Sequence, residues 1–91
     1  MTKFILENPS IFRGKKVLNF ACGSAIESIA CLQSGSTLCV NNDIDPLAIL
    51  AGELNGELNE IPAPSLQSTV KNLIGTDVSE DYDIILAVSN L

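Results

Sequence analysis

A chain of 91 residues holds a single domain, and its 46% hydrophobic against 18% charged residues mark it as folding rather than disordered. The formal net charge of −6 excludes the Lys- and Arg-rich surface that nucleic acid requires and disfavours docking on an anionic membrane. Histidine is absent, which removes imidazole acid–base catalysis and Cys/His zinc sites.

Residues 4–6 form a short apolar stretch stopped at Asn8-Pro9, because the residue before a proline is pushed out of the helical region. Residues 1–14 therefore read as a helical segment and a turn, punctuated by Gly14. The apolar, β-leaning run 15–20 follows as a first strand. A turn of small residues comes next, Ala21-Cys22-Gly23-Ser24, and Ala25, Ile26, Ile29, Ala30 and Leu32 then keep mainly one face of a helix apolar. Gly35 is placed to end that helix.

Residues 37–40 form a second strand that runs into Asn41-Asn42-Asp43. Asp45-Pro46 is a strong helix start, with Asp as N-cap and Pro at the first helical position. Leu47, Leu50, Ala51, Leu54 and Leu58 hold the helical period. Pro62 and Pro64 end the helix, residues 66–70 suggest a third strand, 75–81 are turn-like, and 83–88 form a continuously apolar fourth strand. This order predicts an α/β fold: a truncated Rossmann-like arrangement of about four parallel strands with crossover helices. Residues 1–91 form one partial domain, with a β-α-β-α-β-β core over 15–91. An apolar fourth strand left at an edge is also a place for self-association.

Cys22, Cys31 and Cys39 are odd in number and contain no C-x-x-C pair, which suits a reducing compartment. No apolar run reaches the about 18 residues of a membrane helix, and the amino end has neither a signal-peptide nor a transit-peptide pattern. The expectation is an intracellular chain, cytoplasmic or mitochondrial. Arg13, Lys15 and Lys16 read as solvated charge flanking the first strand.

Parallel sheets bind ligands at the carboxyl ends of their strands. Three such ends carry candidates. Residues 21–25 let backbone approach a ligand at Gly23, although a plain βα turn fits them equally. Asp43, twenty residues beyond Gly23, is placed to accept hydrogen bonds from ribose hydroxyls. Asn72 follows the third strand, where its amide suits either an adenine edge or an ordinary loop. A dinucleotide G-x-G-x-x-G/A pattern would fall on Ala21, Gly23 and Ile26, and the bulk of Ile26 speaks against NAD; a P-loop is absent.

Residues 4–9, 14–18, Asn42-Asp43-Ile44-Asp45-Pro46, the paired Glu-Leu-Asn of 53–55 and 57–59, and 72–75 together resemble one family. It is the electron-transfer-flavoprotein β-subunit lysine methyltransferases, seven-β-strand enzymes related to the large-subunit ribosomal-protein methyltransferases. The resemblance implies S-adenosylmethionine as methyl donor and a protein substrate such as electron transfer flavoprotein β subunit; the net charge already argues for no nucleic acid and no membrane as partner. It implies that Asn19, Ala21, Cys22 and Gly23 lie along the methionine and ribose of the cofactor. Asp43 would hold the ribose hydroxyls, Ile44 would flank the adenine, and Asn72 would lie near its amino group. The family motif has an acidic residue and three alternating glycines where this chain has Asn19, Ala21, Gly23 and Ala25. The family also continues past the fourth strand. The alternative reading is a catalytically inactive truncated paralogue or fragment that acts as a binding module; no catalytic residue and no metal ligand is assigned.

Overall fold

The first turn of chain already shows its sequence logic: helix α1, Thr2–Glu7, stops at Asn8, and Pro9 opens a second short helix, α2, Pro9–Phe12. The computed structural model describes residues 1–20, 23, 25–73, 77–78 and 81–87. Strand β1, Lys16–Phe20, leads to helix α3, Ile26–Gln33, and strand β2, Leu38–Asn42, to helix α4, Pro46–Leu58. A single 3-10 turn, Ala63–Ser65, precedes strand β3, Leu66–Thr69, and strand β4, Ile84–Ala87, completes the described elements.

All pairings are parallel, in the order β3-β2-β1-β4. This is the expected α/β sheet. Because β1 connects to β2 on one side and meets β4 on the other, the strand order reverses beside β1, the place where open parallel sheets form a ligand crevice.

Strand alternation divides the sheet into two faces. Val17, Cys39 and Leu86 point to one side and form the main core with Ile5, Phe12, Ala30 and Cys31 from the helices. There Cys31 of α3 meets Cys39 of β2 as a buried pair of unoxidised thiols. The hydrogen bond between them, with burial added, pushes the Cys39 thiol far above its ordinary value. Leu18 and Val40 occupy the opposite face, over which the chain leaving β3 passes, so that Leu73, Val78 and Tyr82 share a cavity with Val40.

Two helices bury residues other than the apolar ones that hold their period. On α4 the buried residues are Ile49, Gly52 and Gly56, whereas Leu47, Leu50, Leu54 and Leu58 are all exposed. The helix approaches β3 closely at Gly56, where a Cβ would lie 2.8 Å from Leu66 Cδ2 and the end of that side chain would have to move. On α3, Ile26 is exposed and Ser28 is buried in its place among the inward residues. Gly35 does follow the helix, at φ 98°, one residue beyond the C-cap Ser34. Strand β2 also runs on through Asn41 and Asn42, where the sequence suggested it had ended.

Candidate functional site at the carboxyl ends of β1 and β2

In the parallel register Asn19 pairs with Asn41, and Phe20 with Asn42. Side chains of 19 and 41 therefore emerge together on the helical face. Ser28 of α3 stands between them: Asn19 Nδ2 donates to Ser28 Oγ at 2.9 Å, and Ser28 Oγ donates to Asn41 Oδ1. All three are buried, Asn41 at 0% exposure, and Asn41 Nδ2 finds no partner among the described residues. A buried polar cluster with one orphaned donor is costly, since each unpaired group forfeits about 1–3 kcal/mol of hydration.

Beyond the strand ends, Asp43 ties two turns together. Its Oδ2 accepts from the Gly23 backbone N–H at 3.2 Å and its Oδ1 from the Asp45 N–H at 3.0 Å. Asp45 in turn caps α4 by accepting from Leu47 N–H at 2.9 Å, as its sequence position predicts. The carboxylate is thus fixed against the turn that follows β1. Each oxygen accepts one hydrogen bond among the described residues, and a carboxylate oxygen can accept two. Both residues at that turn with recorded geometry are left-handed: Gly23 at φ 54° and Ala25 at φ 65°. A Cβ on Gly23 would meet nothing within 4 Å, so open space lies in front of it.

Asn42, on the other face, secures the third strand end. Its Nδ2 donates to Lys71 O at 2.9 Å, and Asp43 N–H donates to Thr69 O at 3.2 Å. Asn72 is thereby held just beyond a latched segment. Ile44 is 67% exposed beside Asp43.

Of the candidates read from sequence, Gly23, Asp43 and Ile44 come together at one end of the sheet, with Asn72 adjoining through the Asn42 latch. Asn19 sits at the same end but is 1% exposed and turned to Ser28. Ala21 and Cys22 lie outside the described residues. Ser28, Asn41 and Asn42 were not read from sequence; the adjacent Asn pair ending a strand was the available signal, since neighbours in a strand face opposite sides. No cluster of metal-ligating side chains occurs among the described residues.

A parallel sheet of this order, flanked by helices, defines a Rossmann-like α/β class, and solved structures agree on the fold. A ribosomal protein L11 methylase from Lactobacillus delbrueckii subsp. bulgaricus superposes with a TM-score of 0.73 at 23% identity, covering 92% of this chain and 42% of that one. An RNA methyltransferase from Salinibacter ruber, in complex with S-adenosyl-L-homocysteine, gives 0.76 at 17% identity, covering 92% and 54%. The family model for ribosomal protein L11 methyltransferase (PrmA) matches residues 4–90, and the chain belongs to that family. Among curated relatives, electron transfer flavoprotein beta subunit lysine methyltransferase of Danio rerio is 40% identical over 86 residues, covering 94% of this chain and 32% of the relative. The human protein of the same name is 40% identical over 74 residues, covering 80% and 28%. The chain spans about a third of the length of the relatives it matches.

Proposed function

We propose that this chain supplies the S-adenosylmethionine-binding half of a methyltransferase acting on a protein lysine, of the kind its electron transfer flavoprotein beta subunit relatives are named for. The observation that carries the reading is the Asp43 carboxylate, half-buried and held at the Gly23 N–H where β1 and β2 end. A carboxylate in this position suits the two hydroxyls of a ribose diol. Gly23, with open space before it, lets backbone come near the cofactor, and exposed Ile44 offers an apolar side to a purine. Asn72 adds an amide close by. The bound sulfonium is itself an activated methyl donor, so the protein's part is to bind, orient and exclude water. Among the residues assigned, none is asked to move a proton.

Two observations favour the second reading, a catalytically inactive paralogue or fragment that acts as an interaction module and no longer holds the cofactor. Asn19 offers no carboxylate and spends its amide on Ser28. Ala25 also holds a left-handed conformation that the family's glycine would adopt without a steric cost.

Calorimetric titration of the chain with S-adenosylmethionine separates them. Micromolar binding abolished by Asp43→Ala supports the cofactor reading, whereas affinity weaker than millimolar removes it. Restoring Asn19→Asp, Ala21→Gly and Ala25→Gly together is expected to tighten binding if the turn is what limits it. Methyl incorporation into electron transfer flavoprotein beta subunit is the assay for the substrate.

A further inference from the structure

Helix α4 presents two different faces. One buries Ile49, Gly52 and Gly56 against the sheet. Directly opposite, Leu47, Leu50, Leu54 and Leu58 are 73%, 51%, 51% and 80% exposed. Single exposed leucines are ordinary, but four at spacings of three and four make a continuous ridge about 16 Å long. Charge is distributed unevenly around it. At about 100° per residue, Glu53 and Glu57 follow one flank of the ridge, while Ala51 and Asn55 occupy the other.

The acidic flank borders a cavity of about 330 Å³, lined by Glu53, Glu57, Ile61, Ala63, Leu66 and their neighbours. Two carboxylates combined with apolar walls match a side chain with an aliphatic stem and a cationic head. We infer that the outward face of α4 docks a basic amphipathic helix of another protein, its apolar ridge lying on the four leucines and a Lys or Arg entering the cavity beside Glu53 and Glu57.

Charge selects this occupant over the others. Between Lys16 and Lys71 the chain has six acidic residues and no basic one. A second copy would bring α3 or α4, neither with a Lys or Arg, against the acidic flank; the one described helix with a lysine, α1, has six residues. An anionic lipid surface is repelled by the same carboxylates. A helix-in-groove partner with basic flanks meets both the apolar and the electrostatic requirement.

The test uses the full chain and a labelled peptide of about 18 residues with leucines at helical spacing and lysines along one flank, read by fluorescence anisotropy against a scrambled peptide of identical composition. The amphipathic peptide is expected to bind at least about tenfold more tightly than the scrambled one. Leu50→Ser with Leu54→Ser, and separately Glu53→Gln with Glu57→Gln, should each weaken it by about tenfold while leaving the circular dichroism spectrum unchanged. Equal binding of the two peptides overturns the proposal, as does full binding by the serine variant. So does sedimentation showing a dimer, or flotation with neutral phosphatidylcholine vesicles, if either is abolished by the serine substitutions. The first would make a second copy the occupant, and the second a membrane.

Discussion

Ala25 holds φ 65° and ψ 24° at the N-cap of α3, fully buried against Ile49. A left-handed conformation costs a non-glycine residue about 1–2 kcal/mol. Glycine removes that cost, but it loosens the unfolded chain by about 0.4–1 kcal/mol and gives up a buried methyl worth about 0.8 kcal/mol. The terms nearly cancel, so Ala25→Gly should leave stability within about 1 kcal/mol of the parent in urea denaturation. Ala25→Val has no such compensation. Branching at Cβ worsens the left-handed strain and overfills a buried site, and a loss of about 2 kcal/mol or more is expected. A second residue-scale prediction concerns Ser28, which satisfies both Asn19 and Asn41 from one hydroxyl. Ser28→Ala strands two buried amide groups and should cost about 2 kcal/mol, within the range for unpaired buried polar atoms. If the variant matches the parent in denaturation midpoint and slope, the cluster is not the constraint its geometry indicates. Little of this was legible in the sequence. Asn19 stood out as a departure from a motif, but its partner lies nine residues away on another element and the third member thirteen beyond that. Only the strand register brings them together.

At the scale of the element, α4 shows what a pattern does and does not determine. Asp45-Pro46 gave its start, and the cap hydrogen bond to Leu47 N–H confirms why. The apolar period gave its course as well. Its orientation lay beyond that reading, because periodicity reports that a helix has an apolar stripe without reporting what covers it. Glycines at 52 and 56 carry no hydropathy signal, yet both are buried on the inward face, and a Cβ at Gly56 would oblige the end of the Leu66 side chain to move. The two orientations make opposite predictions. Ile49→Ala should cost about 2–4 kcal/mol as a large-to-small change in a packed position. Leu50→Ser and Leu54→Ser, each at half-exposed sites, should stay within about 0.5 kcal/mol. Reversal of that ranking in thermal or urea denaturation would return the leucines to the core. Strand β4 was likewise read correctly as a strand, whereas its parallel pairing with β1 is set by the sheet and carried no signal in the sequence.

For the molecule as a whole, the β3-β2-β1-β4 order and the Asp43 clasp put the proposed cofactor site across two turns joined by side-chain and backbone hydrogen bonds. Binding there would hold the β1–α3 and β2–α4 connections in one arrangement, so its effect on stability is global. A chain of 91 residues buries a modest share of its surface, and its folding free energy belongs near the low end of about 5–15 kcal/mol. Against so small a margin, ligand linkage is large. A ligand at about a hundred times its Kd adds about 2.7 kcal/mol to the native state. For a domain of this size each kcal/mol moves Tm by about 4–8 °C, so S-adenosylmethionine at that excess should raise Tm by about 10–20 °C. Asp43→Ala lowers the starting Tm, because the clasp to Gly23 is lost, but the informative quantity is the difference with and without ligand. That difference should vanish in the variant while adenosine and methionine, supplied separately, shift the parent far less. A Tm that stays flat for the parent up to millimolar S-adenosylmethionine would mean that the clasp serves only to join the two turns, and that the fold of a methyltransferase is here without its cofactor.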